Sequence, residues 1–167
     1  MKPKLISFVV VLLLSSCQSM QSTDPSALSF RMPDGSTLTL NKALDIPEGN
    51  THALLQAGQV ISTSDRNEYR LNCRFDIRTF GPRTLEQEVF RIRRTEDGQQ
   101  KISDAGIVRF YSDIFLDSDK GTDVIKLTCQ RWGGRIDRNF TVTEMQPALG
   151  DYFTFTFPLP EPARSAY

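Results

Sequence analysis

The sequence predicts an all-β domain, an antiparallel β-sandwich or a small β-barrel carrying one disulfide. The clearest observation lies between Tyr69 and Arg78. There Tyr69, Leu71, Cys73, Phe75 and Ile77 alternate with Arg70, Asn72, Arg74, Asp76 and Arg78. A period of two is that of a strand with one buried face. Turn-forming dipeptides also recur at short intervals, as in sandwiches and small barrels, and strand–helix alternation is absent. Finally, two cysteines, Cys73 and Cys129, both fall on the apolar side of their runs.

The elements follow in chain order. Asp34-Gly35 precedes Ser36-Thr37-Leu38-Thr39-Leu40, and Asp-Gly beside alternating residues is a hairpin signal. Ala57-Gly58 separates THALLQ from QVIS, and Asp97-Gly98 separates EVFRIRRT from QKIS. DSDKGTD (117–123) divides IVRFYSDIFL from VIKLTC, and Gly133-Gly134 divides DVIKLTCQRW from RIDRNFTV. Each of these five places is expected to be a hairpin. In the run from Val124 to Trp132, Ile125, Leu127 and Cys129 share a face. TEMQPALG (143–150) has room for one helical turn, stopped by Gly150. From Asp151 to Phe157 the chain alternates again, with Phe153, Phe155 and Phe157 on one side. Pro158, Pro160 and Pro162 then prevent a central strand.

The chain has 167 residues, enough for one domain with a substantial core. Its formal charge is zero, so no strong field draws it to nucleic acid. Lys2 and Lys4 precede a ten-residue apolar run, Leu5 to Leu14, followed by Ser15 and Ser16. That is the layout of an export signal, and the run is too short for a helix spanning a bilayer. Leu14-Ser15-Ser16-Cys17 resembles the lipobox of bacterial lipoproteins. The resemblance covers the first seventeen residues. It implies cleavage before Cys17 and acylation of Cys17, including palmitate-type chains that hold the protein on a membrane. Gln18, in place of Asp, implies by the same resemblance an outer-membrane location facing the periplasm. The expected organisation is a signal peptide at 1–16, a lipidated flexible tether at 17–26, a β domain at 27–157 and a Pro-rich tail at 158–167. The mature chain carries 18 basic and 20 acidic side chains.

With Cys17 lipidated, Cys73 and Cys129 remain. In an oxidising compartment they are expected to pair. Such a bridge closes a 56-residue loop, worth about 4 kcal/mol by chain entropy. No CxxC occurs, and His52 is the single histidine, so neither a redox motif nor a zinc site is indicated. No cofactor is expected.

Several patterns are candidates for function. Arg70, Arg74 and Arg78 share one strand face, and Arg91, Arg93 and Arg94 follow on a later strand. If residues 79–83 join these strands as neighbours, the guanidinium groups converge on an anionic partner, since the planar fork suits carboxylates and phosphates. The alternative is a solvated face offset by Asp76, Glu86 and Glu88. The carboxylates of Asp117, Asp119 and Asp123 alternate as in a calcium loop, but the glycine and the closing Glu of that pattern are misplaced, and a polar hairpin loop explains them. His52 has no nucleophile elbow to serve. Glu86 and Glu88 lie two apart and are the acids a hydrolase reading would use. Trp132 and the Tyr and Phe residues read as core.

The expectation is therefore a non-enzymatic, lipid-anchored accessory protein of the cell envelope, whose partner is an envelope protein or an anionic glycan. A second reading is a lipid or small-molecule carrier with a barrel cavity, as in lipocalin-like lipoproteins, though their Gly-x-Trp signature is absent. A third is an envelope hydrolase. The periplasmic lysozyme-inhibitor lipoproteins are similarly small and disulfide-bonded, but their Ser-Gly-x-x-Tyr loop is not present.

Overall fold

The computed structural model describes residues 22–158. The strands are β1 (Thr37–Leu40), β2 (Leu44–Ile46), β3 (His52–Gln56), β4 (Gln59–Ile61), β5 (Asn72–Ile77), β6 (Arg83–Leu85), β7 (Glu88–Lys101), β8 (Val108–Ser118), β9 (Val124–Gly133) and β10 (Phe153–Thr156). One helix, α1 (Val142–Leu149), precedes β10. Eight strands form one antiparallel sheet in the order β10-β1-β7-β8-β9-β5-β3-β4, and β2 pairs with β6 separately. The large sheet curls strongly into a half-barrel. The pairing register shifts between Ile92 and Arg94 on β7, and again between Asp76 and Ile77 on β5. Extra residues at such points bend a strand and increase its twist.

The concave side is the core. Leu38, Leu40, Phe75, Phe90, Ile114, Leu127 and Phe153 are buried there. Phe75 packs on Phe153 with ring centroids 5.1 Å apart. Full burial of one such side chain contributes about 1.5–3 kcal/mol. Cys73 and Cys129 sit directly opposite one another on β5 and β9, both buried, and form the disulfide. Alternation turned both cysteines inward, and the pairing of β5 with β9 put them in register.

The helix closes the open side of the half-barrel. Met145, Ala148 and Leu149 enter the core, while α1 touches β3 and β5 on one flank and β10 on the other. Its first turn is a capping box. The Thr141 hydroxyl accepts from the Glu144 amide, and the Glu144 carboxylate accepts from the Thr141 amide. Its last turn meets the β3–β4 hairpin, where the Gly58 amide donates to the Ala148 carbonyl at 3.1 Å. The two edges of the sheet are thus joined through the helix rather than to each other.

Several local expectations are corrected. The β3–β4 and β8–β9 hairpins form where expected, the first with Ala57 and Gly58 both at positive φ. Asp97-Gly98, however, lies inside β7, and the chain turns at 102–107 instead. Gly98 stands opposite Tyr111, and a Cβ there would overlap the tyrosine ring. The glycine makes room for an aromatic neighbour rather than bending the chain. Asp34-Gly35 turns into β1 with no strand before it, and after Gly133-Gly134 the run 135–141 is irregular up to the start of α1 at Val142. The expected single helical turn is an eight-residue helix.

Residues 22–26, expected within the flexible tether, make contacts with the domain. Ser22 bridges Phe30, the Thr143 amide donates to the Pro25 carbonyl, and Phe30 is buried. Packing onto the domain is thus seen from Ser22 onward. The export signal, Cys17 and residues 159–167 of the tail lie outside the described residues.

Candidate functional site

The six candidate arginines do not converge. Arg74 lies on β5 and Arg91 and Arg93 on β7, and β8 and β9 stand between those strands. Three steps at about 4.8 Å each put roughly 14 Å between the strand axes. The connection through 79–83 leads instead into β6, which leaves the main sheet to pair with β2. Most of the cations already have partners. Arg74 Nε donates to Asp76, 2.9 Å from Oδ1. Arg91 pairs with Asp119 at 2.9 Å and Arg93 with Asp117 at 3.7 Å. Arg94 pairs with Glu96 and lies over the Phe115 ring. Arg70 and Arg78 flank β5, are exposed and make no ion pair with another described residue.

The acids are likewise distributed. Asp117 and Asp119 turn to β7, while Asp123 accepts from the Thr79 amide and from Arg83. Burial raises the Asp123 pKa, but the bonds from Thr79 and the Arg83 charge outweigh it and hold the carboxyl below its ordinary value. Among the described residues no three His, Cys, Asp or Glu side chains gather as metal ligands. Glu88 is buried and organises the β8–β9 loop. It accepts from the Ser118 hydroxyl, from the Lys120 amide at 3.3 Å and from the Thr122 hydroxyl at 2.6 Å. Glu86 is exposed.

His52 stands opposite Asp76 across β3 and β5. Burial first, and then the Arg74 charge, push its pKa below the usual histidine value. Burial dominates at Asp76 too and raises its pKa, against the Arg74, His52 and Lys126 charges that lower it. Neither residue has a serine or cysteine nucleophile bonded to it.

The feature missed in the sequence is aromatic. Tyr69 precedes β5 and is 59% exposed, and Trp132 is half-buried on the convex face. Neither belongs to the core. Their rings meet edge to face with centroids 5.7 Å apart. The signal was present, because the parity that turns Cys129 inward turns Trp132, three residues on, outward. Tyr69 escaped because the strand begins at Asn72, so its alternation no longer governs residue 69.

A turn at 67–70 places Tyr69. The Arg70 amide donates to the Asn67 carbonyl, and the Trp132 amide to the Glu68 carbonyl at 2.7 Å. The buried Gln56 side chain holds the turn from beneath, donating to the Asn67 and Arg70 carbonyls and accepting from the Asn67 amide. Beside the rings, Gln130 donates to Glu68 at 3.2 Å, Glu68 pairs with Arg66, and Arg109 donates to Gln130.

On the concave side, a cleft beside Phe30, Met32 and Phe140 holds about 30 Å³. That is far below the roughly 300–1,000 Å³ of a small-molecule pocket. A wider groove of about 460 Å³ lies open on the surface over Asn41, Gln87 and Lys120. No helix among the described residues is long and apolar enough to cross a membrane. No family model matches the chain, and no curated protein or solved structure is significantly similar to it.

Proposed function

We propose that this chain is a non-enzymatic, lipid-anchored interaction protein of the bacterial envelope that presents its convex sheet face to a partner. The observation that carries the reading is the filled concave side. Helix α1 and the aromatic core occupy the place where a carrier of this shape would hold its ligand. Ligand pockets for drug-sized molecules run to about 300–1,000 Å³. The open groove over Lys120 reaches that size but lies on the surface. The convex face, by contrast, carries exposed aromatic and charged side chains on a rigid sheet.

The hydrolase reading draws no support from its two acids. The Glu88 carboxylate is consumed by loop hydrogen bonds, and Glu86 lies on the surface. The anchor rests on the lipobox resemblance at Cys17. Only five residue steps separate Cys17 from Ser22. Fully extended they reach at most about 18 Å, so an acylated Cys17 holds the domain close to the bilayer.

Two measurements test this. Cells fed an alkyne fatty acid should label the protein, and Cys17→Ala should abolish the label and release the protein from membranes. A photoreactive residue at Tyr69 should give a defined envelope adduct that the same residue at Asn50 does not. An unlabelled wild type, or identical adducts from both positions, would overturn the corresponding half of the proposal.

A further inference from the structure

We infer that the Tyr69–Trp132 platform is a binding site for a carboxylate-bearing saccharide; the inference names the partner class for the interaction reading above and rests on it. Three observations converge. Tyr69 and Trp132 form an outward edge-to-face pair on the convex face, which offers ring surface to an apolar partner. A sugar ring matches such a surface with the C–H groups of one face, while its rim of hydroxyls needs planar donors and acceptors. Glu68, Gln130 and Arg109 supply these beside the rings, already linked in a hydrogen-bonded row. Arg70, next to Tyr69 in the same turn, is exposed and makes no ion pair with another described residue. Its guanidinium is therefore available for a bidentate bond to a carboxylate.

The turn is also built in advance. Gln56 is buried, and three hydrogen bonds from its amide hold residues 67–70. A buried amide committed to a turn whose tip is exposed lowers the entropy lost when that tip binds. Charge favours an acidic ligand. Arg74, Arg91 and Arg93 are all neutralised by neighbouring aspartates, whereas Glu68 already has Arg66, leaving Arg70 and Arg109 in excess at this site.

The chain has a single tryptophan, so Trp132 emission reports on this site alone. The full chain, purified in detergent, is titrated with a galacturonate hexamer and, separately, with a neutral N-acetylglucosamine hexamer, by calorimetry and by Trp132 fluorescence. The expected result is binding of the acidic probe with a Kd of about 1 mM or tighter, accompanied by a change in Trp132 emission. Tyr69→Ala and Arg70→Gln should each weaken it about tenfold, while Arg78→Gln leaves it unchanged. Circular dichroism checks that each variant is folded, which exposure of both side chains favours. No binding of the acidic probe up to about 10 mM overturns the inference. So does an equal loss in Arg78→Gln, which would mean bulk charge attraction, or stronger binding of the neutral probe with no effect of Arg70→Gln. A protein adduct from Tyr69 in cells without saccharide binding would overturn this inference and leave the broader interaction reading standing.

Discussion

At Gly150 the backbone takes φ 56° and ψ −138°, and a Cβ there would overlap the Gly58 Cα. Both glycines sit at positive φ at the joint where the β3–β4 hairpin meets the end of α1. Gly150→Ala therefore combines an unfavourable dihedral with a steric overlap against backbone that has no side chain to move aside. Gly121→Ala is the matching control, at φ 84° with open space around it. The control should cost about 1 kcal/mol and Gly150→Ala clearly more, read as the difference in thermal midpoint. Titration gives a second residue-scale expectation. Bonds from Arg138 first, aided by the Thr141 cap, lower the Glu144 pKa to about 2. A carboxylate lowered in the fold stabilises it above its unfolded pKa and loses that contribution as pH falls through the folded value. Wild-type stability should thus decline between about pH 4.5 and 2 more steeply than that of Glu144→Gln, which urea melts across that range will show. His52 works in a different window. Its pKa is lowered, so the unfolded chain takes the proton first, and the fold loses stability as pH drops below 6.5. His52→Gln should flatten that slope.

Among the elements, β5 and β9 carry the disulfide, and the bridge joins adjacent strands already paired along their length. Its effect is expected chiefly in the unfolded chain, by closing a 56-residue loop. Replacing both cysteines by alanine should cost about 2–5 kcal/mol with the sheet retained, a lower denaturant midpoint and near-native circular dichroism being the readout. The β8–β9 loop depends on Glu88 instead. Glu88→Ala strips the Ser118 and Thr122 hydroxyls and the Lys120 amide of their common acceptor. A loss of about 2–4 kcal/mol is expected, with faster amide exchange at 118–122. The same loop resembled a calcium site because its acids alternate. In three dimensions that alternation sends Asp117 and Asp119 to arginines on β7 and Asp123 to Arg83.

For the whole molecule, the half-barrel is completed by a helix and not by strand pairing, so the concave side is a packed core and the convex side is the face available to partners. If Cys17 carries the proposed lipid anchor, the packing of the chain from Ser22 onward keeps the whole domain close to the membrane. The short span that the proposed anchor implies between domain and bilayer is testable. Inserting a flexible Gly/Ser segment after Met20 should change which envelope components are crosslinked at Tyr69, without changing saccharide affinity in solution.

Local pattern alone determined the strand character of β1, β5, β9 and β10, the inward direction of Cys73 and Cys129, the Ala57-Gly58 hairpin and the helix stop at Gly150. Each depends on neighbours in sequence: the pleat alternates side chains, and glycine alone adopts certain dihedrals freely. Tertiary structure decided the rest. Which strands pair is a matter of distant segments, so the arginines of β5 and β7 were separated by two intervening strands, and Asp97-Gly98 was drawn into a long strand by its pairing with Tyr111 and Ser112. The Tyr69–Trp132 platform arises where a turn before β5 meets the end of β9, some sixty residues later, through the bond from the Trp132 amide to Glu68. No local pattern encodes that meeting, because it is fixed by the register of strands whose partners are chosen by burial of the whole core.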